Sequence, residues 1–182
     1  MLAFARGDEE AFVRLYRKWR DRVVNFARRL LGDAAAGEEA AQEVFLRLYQ
    51  TRSRYEPRSR FSTFLYRIAT NHCLKIRERH DHRLTDRDAD MDLRASAAAD
   101  ALDHAARAQL REALLRALAA LPDRQGAALL LCHYDGLSYQ EVADVLDVSE
   151  GAVKSLVHRA RSALCDRLGP WMDQAKGLSH AM

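Results

Sequence analysis

The sequence has few residues that break regular structure. Only three prolines and eight glycines occur in 182 residues. Alanine, leucine and arginine recur throughout, and no stretch alternates apolar and polar residues as a strand does. The composition therefore predicts an all-α fold, and the length suits one or two small domains.

Cysteine is equally scarce. Cys73, Cys132 and Cys165 are odd in number, far apart and outside any C-x-x-C pair, so we expect reduced packing cysteines rather than a disulfide or a zinc site. His80 and His82 flank an aspartate, but no matching ligand cluster occurs elsewhere. The sequence therefore predicts no metal and no cofactor.

Long apolar runs are missing. No stretch approaches the ~20 uninterrupted apolar residues that a membrane span needs, and the N-terminus lacks a signal-peptide pattern. We therefore expect a soluble, cytoplasmic protein without membrane insertion. The net charge of +3, from 29 basic and 26 acidic residues, is too small to indicate nucleic-acid binding by itself. The distribution of charge has to decide that question.

Two short helices near the C-terminus form the most informative pattern. Ser138 and Glu141 have the spacing of a capping box, and Ser149 can cap a second helix. Apolar residues of that second helix recur on one face, and its other face carries Lys154 and Arg159 without a carboxylate. The pattern predicts a helix-turn-helix that reads DNA, with a merely solvated amphipathic helix as the alternative.

Three longer helices are predicted upstream. The first begins near Asp8 and ends at Gly32, the second runs from about Gly37 to Gln50, and the third follows a break at residues 55–60. In the third helix the predicted buried residues are Phe61, Phe64, Leu65, Ile68 and Ala69. The predicted solvent-facing residues are Thr63, Arg67, Asn71, Lys75, Arg77 and Arg79.

Positive charge concentrates on this third helix. Residues 58–83 contain seven arginines or lysines and two acidic residues, a surplus of +5. A cationic helix beside a loop that contains an aromatic residue suits unstacked, single-stranded DNA. A solvated charged face is the simpler alternative.

Both regions resemble one family, the bacterial extracytoplasmic-function sigma factors. Gly136–Ala143, Val148–Ser155 and His158–Arg161 resemble its region 4. Gly32–Arg47 resembles region 2.2, and Phe61–Asn71 resembles regions 2.3 and 2.4. Two motif sets in the right order are more specific than a helix-turn-helix alone.

The resemblance implies a promoter-recognition subunit that binds core RNA polymerase (β′ coiled coil and β flap) and promoter DNA, is inhibited by an anti-sigma factor and has no catalytic residues. The implied contacts with the −35 element are Arg124, Lys154, Ser155, His158 and Arg159. The implied contacts with the −10 element are Tyr55, Arg58, Arg60, Arg67, Asn71 and Lys75. The implied contacts with polymerase are Glu39, Gln42, Glu43 and Arg47.

Four positions depart from the family pattern. Glu39 stands where relatives commonly have aspartate, which keeps the charge. Phe64 stands where relatives usually have tryptophan, and we expect its packing role to survive. Gly126 stands where relatives often have arginine, which lowers helix stability. Leu156 also replaces a frequent arginine, and its place on the apolar face predicts a core residue.

The predicted organisation is two small helical domains joined by a flexible linker. Residues 1–80 form the region 2 domain, 81–107 the linker, 108–170 the region 4 domain with the helix-turn-helix, and 171–182 a tail. One alternative function is a stand-alone helix-turn-helix transcriptional regulator. Another is a metal-dependent nuclease built around His80 and His82.

Overall fold

A computed structural model describes residues 1–57, 59–84 and 103–179, without the side chains of residues 54, 80–84, 103–108 and 170–179. The described residues form helices and no strand, which confirms the all-α prediction. The helices are α1 (Leu2–Ala5), α2 (Glu9–Leu31), α3 (Ala34–Gln50), α4 (Phe61–Leu84), α5 (Asp103–Ala119), α6 (Asp123–His133), α7 (Tyr139–Leu146) and α8 (Glu150–Ser179), with a 3₁₀ turn at Arg52–Arg54. We call residues 1–84 the first half and 103–179 the second half.

Local capping explains where the helices of the first half begin and end. The Asp8 carboxylate accepts a hydrogen bond from the Ala11 N–H at 2.9 Å, and Gly32 ends α2 in the left-handed conformation at φ 74°. Both features were predicted. The start of α3 differs from the prediction. The Asp33 carboxylate accepts a hydrogen bond from the Ala36 N–H, so the helix begins at Ala34 rather than near Gly37.

Helices α2, α3 and α4 pack into the core of the first half. α2 and α3 approach closely at Gly37, where an added Cβ would lie 2.3 Å from Arg28 Cγ and 2.7 Å from the Arg28 backbone. On the α4 side, the Tyr66 ring meets Phe26 edge-on at 5.5 Å. Tight packing of this kind holds α4 in a fixed orientation.

Capping in the second half agrees with the sequence at two helices and differs at one. Ser138 and Glu141 form the predicted capping box, and Ser149 caps α8 through the Ala152 N–H at 3.2 Å. The prediction that Asp123 caps α6 was wrong. Pro122 occupies the N-cap position, and the Asp123 side chain instead forms an ion pair with Arg77 of α4.

Helix extends into the segment expected to be linker from both sides. α4 continues to Leu84, and α5 begins at Asp103, where alanine-rich sequence favours helix. Residues 85–102 lie outside the described residues. Helix α8 also continues past Gly169 and Pro170 to Ser179. The backbone is therefore still helical at residue 171, where the tail was expected to start.

The two halves share one apolar core. Leu30 of α2 and Leu121, which follows α5, are both fully buried in it. A Cβ added at Gly126 would lie 3.4 Å from Leu30 Cδ1, and one added at Gly32 would lie 2.7 Å from Ala119 Cβ. The packing therefore explains why glycine rather than arginine occupies position 126, because a long side chain at this position would meet α2.

This packing overturns two predictions for α4. Thr63 was expected near solvent but is 1% exposed, and the Arg77 side chain is only 17% exposed. Arg77 lies on the side of α4 that faces the second half. The sequence pattern of α4 alone shows only one apolar stripe, so it does not reveal a second packing partner.

The three cysteines are free. Cys73 is buried in the core, and burial raises the pKa of its thiol to about 12. Cys132 is half-buried against the core, and burial raises its pKa as well. Cys165 is exposed, so the packing role predicted for all three holds for two of them.

We predict that Gly37→Ala destabilises the fold. The added methyl forces α2 and α3 apart, and overpacking of about 1–3 kcal/mol exceeds the ~1 kcal/mol that alanine gains as a helix former. Urea unfolding should show a net loss of up to about 2 kcal/mol. Gly151→Ala is the control, because its Cβ would meet its nearest neighbour only at 4.0 Å. Equal stability of the two variants would contradict the close approach.

Candidate nucleic-acid interface

The exposed face of α8 carries the residues expected at the −35 element. Val153, Val157 and Ala160 are buried and fix the orientation of the helix. Leu156 is partly buried against the core, as predicted. The exposed side chains between these positions are Lys154, Ser155, His158 and Arg159.

Two features of this face were missed from the sequence. Glu150 forms an ion pair with Lys154 at 2.8 Å, and this contact raises the lysine pKa. Arg161 donates to Nε2 of His133 on α6. The spacing of four residues between Glu150 and Lys154 is the signal that would have revealed the first contact.

Helix α6 supports this face from below. Ala127, Ala128, Leu130 and Leu131 are buried as predicted, and α6 packs against both α7 and α8. Arg124 is exposed on the first turn of α6. A basic side chain at that position is free to reach a phosphate beside the recognition helix.

The residues expected at the −10 element fall into two groups. Asn71 and Lys75 are exposed on α4, one turn apart. Tyr55 is half-buried and meets Phe64 edge-on at 5.0 Å, so the aromatic residue at position 64 packs as predicted. Burial raises the Tyr55 pKa. Arg58 lies outside the described residues.

Arg60 and Arg67 form the second group, and both contact α7. Arg60 Nη1 donates to Glu141 Oε1 at 3.2 Å. Arg67 donates from Nη2 and Nε to the carbonyl oxygen of Asp144 at 2.6 and 3.1 Å. Both arginines remain exposed to solvent, so these contacts are weak individually.

The residues expected to bind polymerase lie along α3. Glu39 and Gln42 are exposed, and Glu43 accepts from Arg47 at 2.7 Å, which lowers the glutamate pKa. Leu46 belongs to the same face and is 50% exposed. Sequence reasoning missed it, although its spacing from Glu39, Gln42 and Glu43 places it there.

A buried polar pair joins the halves beside these surfaces. The Tyr66 hydroxyl donates to Oδ1 of Asp135, whose Oδ2 is buried without a partner. Burial is the main reason that the Asp135 pKa rises to about 6, against the opposing effect of Arg29 and Arg22. Burial and the neighbouring Asp135 also raise the Tyr66 pKa. Arg29 itself stacks on Tyr134, 4.2 Å from the ring centroid.

Two absences concern only the described part of the chain. No cluster of three or more potential metal ligands occurs in it, and the side chains of His80 and His82 lie outside it. None of its helices combines the length and the apolar character that crossing a membrane requires.

Comparison with known families matches both halves. Residues 15–83 match the Sigma-70 region 2 family, and residues 111–164 match the Sigma-70, region 4 family. The RNA polymerase sigma-H factor of Pseudomonas aeruginosa is 32% identical over 93% of this chain and 92% of its own length. The RNA polymerase sigma factor CarQ of Myxococcus xanthus is 33% identical over 93% and 95%. The ECF RNA polymerase sigma factor SigW of Bacillus subtilis is 29% identical over 90% and 91%.

Solved structures show the same fold. The sigma factor RpoE from Bartonella quintana, in complex with the anti-sigma factor NepR, has a TM-score of 0.72 at 21% identity and covers 88% of this chain and 98% of its own. CnrH in complex with the cytosolic domain of CnrY has a TM-score of 0.70 at 22% identity, with coverages of 93% and 96%.

The fold and the exposed basic face of α8 define a helical DNA-binding protein with a helix-turn-helix. The matched regions and relatives then show that the chain belongs to the extracytoplasmic-function sigma factors, which direct RNA polymerase to promoters. The alternative of a stand-alone regulator is wrong, because region 2 accompanies region 4 in the same chain.

We predict a pH-dependent contribution from Asp135. Its folded pKa of about 6 lies above the ordinary 3.8. The contribution to stability is therefore complete below pH ~4 and is lost as pH rises through ~6. Asp135→Asn keeps an acceptor for Tyr66 but cannot ionise. From pH 4.5 to pH 7.5, the free energy of unfolding of this variant should rise by about 2 kcal/mol relative to that of the unchanged chain, as measured by urea unfolding. An identical pH dependence for both proteins would contradict the buried carboxylate.

Proposed function

We propose that this sigma factor reads the −35 element with α8 and the −10 element with α4, and that it docks on core polymerase through α3. The observation that carries the proposal is the pairing of two exposed basic surfaces, one in each half. Lys154, His158 and Arg159 form the first. Asn71 and Lys75, with Arg60 and Arg67 beside them, form the second.

The two surfaces suit different states of DNA. A rigid helix face with donors on successive turns fits the major groove of a duplex. The α4 face lies beside the Tyr55–Phe64 pair, and an aromatic site next to cationic side chains suits an unstacked base. We infer that residues 55–60 hold such a base, as the family resemblance implies.

The docking surface on α3 combines charge with one apolar side chain. Glu39, Gln42, Glu43 and Arg47 offer polar contacts to the β′ coiled coil, and exposed Leu46 adds apolar area between them. Charged rims around an apolar centre are typical of protein interfaces. The region 4 half is proposed to meet the β flap.

The chain is proposed to act in the cytoplasm, without catalysis of its own, as residues 1–80 and 108–170 joined by the segment between them. An anti-sigma factor is proposed as a further partner. A protein of the same fold, RpoE, is described in complex with the anti-sigma factor NepR.

Run-off transcription with purified core polymerase on a promoter library tests the proposal. The chain should direct initiation from a subset of promoters that share two sequence elements. Polymerase that starts at the same sites with and without the chain would reject the proposed function.

We predict that Lys154→Ala and Arg159→Ala each reduce transcription from −35-dependent promoters. Loss of a base-edge contact costs about 1–3 kcal/mol, or roughly 5- to 150-fold in binding. Polymerase binding should be unchanged, and Arg17→Ala on the exposed face of α2 is the control. A parallel loss of polymerase binding would reject the −35 role.

We predict that Asn71→Ala impairs promoter opening or −10 selectivity. Loss of a side-chain hydrogen bond to a base costs about 0.5–1.5 kcal/mol. Occupancy of the −35 element should not change. Asn25→Ala removes an exposed asparagine from α2 and is the matched control. An unchanged −10 preference in the Asn71 variant would show that this surface is misplaced.

A further inference from the structure

A line of basic side chains runs along one side of α2. Lys18, Arg22 and Arg29 are separated by four and seven residues, so they project from the same side of the helix over a length of roughly 17 Å. None of them belongs to the surfaces proposed to read the −35 and −10 elements or to bind polymerase. We call these three residues the α2 stripe.

Each cation of the α2 stripe lies against an aromatic ring. Lys18 Nζ and Arg22 Cζ lie 5.9 and 5.3 Å from the centroid of the Trp19 ring. Arg29 Cζ lies 4.2 Å from the centroid of the Tyr134 ring, which follows α6. A cation over an aromatic face is attracted by the electrons of the ring. The three charges are therefore held in place, unlike cations on a merely solvated face.

The two rings are fixed but remain accessible. Trp19 is half-buried, and its ring meets Phe61 edge-on at 5.7 Å and Tyr66 at 6.3 Å. Tyr134 is 47% exposed. The rings therefore offer apolar surface directly beside the positive charges.

Acidic side chains leave the α2 stripe largely uncompensated. Asp21 is the one acidic residue between positions 18 and 29, and it pairs with Arg20 at 2.9 Å. Asp135 attracts two of the cations, but its carboxylate accepts a hydrogen bond from Tyr66 and is largely buried. Within the described part of the chain, none of the three cations forms an ion pair. An exposed line of positive charge of this kind favours an anionic partner.

The combination of fixed cations and accessible rings matches the chemistry of a single-stranded nucleic acid. Its phosphates meet the cations, and its unpaired bases stack on the rings. The bases of a duplex are already stacked on one another, so a duplex would use only the cations. An acidic protein would also leave the rings without a stacking partner.

We propose that the α2 stripe, together with Trp19 and Tyr134, is a further binding site for single-stranded nucleic acid. Phosphates contact Lys18, Arg22 and Arg29, and bases stack on the two rings. Every base has an aromatic face, so this site binds a short run of nucleotides without selecting their sequence. The site contains no residue assigned to the −35 element, the −10 element or polymerase, so it stands or falls separately from the proposed function.

The first test measures binding of a fluorescent oligothymidylate of about 12 nucleotides to the free chain by anisotropy over a range of salt concentrations. The charge variant replaces the α2 stripe by Lys18→Gln, Arg22→Gln and Arg29→Gln. The matched control removes the same charge from three other exposed positions by Arg6→Gln, Arg17→Gln and Arg111→Gln.

The charge variant should bind the strand at least tenfold more weakly than the unchanged chain, and the control should stay within threefold of it. Each phosphate neutralised on a single strand contributes about −0.7 to the slope of log K against log salt concentration. Loss of three phosphate contacts should therefore make the slope shallower by about 2, against less than about 1 for the control. Equal losses in the two variants would overturn the proposal, because general attraction to a basic protein would then explain the binding.

Competition identifies the form of the nucleic acid. An unlabelled duplex that displaces the labelled strand as well as an unlabelled single strand does would also overturn the proposal. An oligouridylate of the same length separates RNA from DNA as the source of the strand. A tenfold preference for one assigns the site to it, and equal binding shows that phosphates and bases alone are recognised.

The emission of Trp19 reports stacking directly. The sequence has two tryptophans, so a Trp171→Phe background leaves Trp19 as the single emitter. Oligothymidylate should quench this emission, with half-saturation at the concentration found by anisotropy. Tyr134→Ala removes the other ring and should weaken binding by about fivefold or more. Unquenched Trp19 emission at saturation, or unchanged affinity in the Tyr134 variant, would overturn the proposal.

Discussion

Helix α4 is packed on two sides, and most of the structure depends on that constraint. One side inserts Leu65 and Ala69 into the core of the first half. The other side meets α6 and α7, with Arg77 satisfying backbone carbonyls from two other segments. A helix held this way has one fixed orientation, and the narrow strip that remains carries Asn71 and Lys75.

The same constraint relates the two halves of the molecule. The core is continuous from Leu30 to Val142 and on to Ala160, so the recognition helix is held through α6 and α7 rather than directly against the first half. Polar contacts across the junction accompany this core. They include Tyr66 with Asp135, Arg77 with Asp123, and Arg67 with the carbonyl oxygen of Asp144.

Much of this fold was predictable from the sequence because it is set by local chemistry. Asp8, Gly32, Ser138 and Ser149 end or begin helices through their own side chains or backbone conformation, and each acts within four residues. The motif residues on α8 followed from helical spacing for the same reason.

The errors at α4 and α6 have a different origin, since they involve contacts between distant parts of the chain. Asp123 has the sequence position of a cap but pairs with Arg77, 46 residues earlier. Thr63 and Arg77 carry polar side chains that any periodicity analysis assigns to solvent, yet Thr63 is buried and Arg77 contacts Leu121 and Asp123 of the second half. Single-sequence patterns contain no information on which polar face a distant domain will cover, so this part of the site required coordinates.

The distance between the halves, in the free chain and in the holoenzyme, tests the account most directly. Spin labels on an Asn25→Cys, Cys132→Ser variant and on native Cys165 report it, because both labelled positions are exposed and Cys73 is buried with a raised pKa. The account predicts one short distance in the free chain and an increase of more than about 20 Å when polymerase and promoter are bound, since the two elements lie far apart along the duplex. The same distance in both states would contradict it.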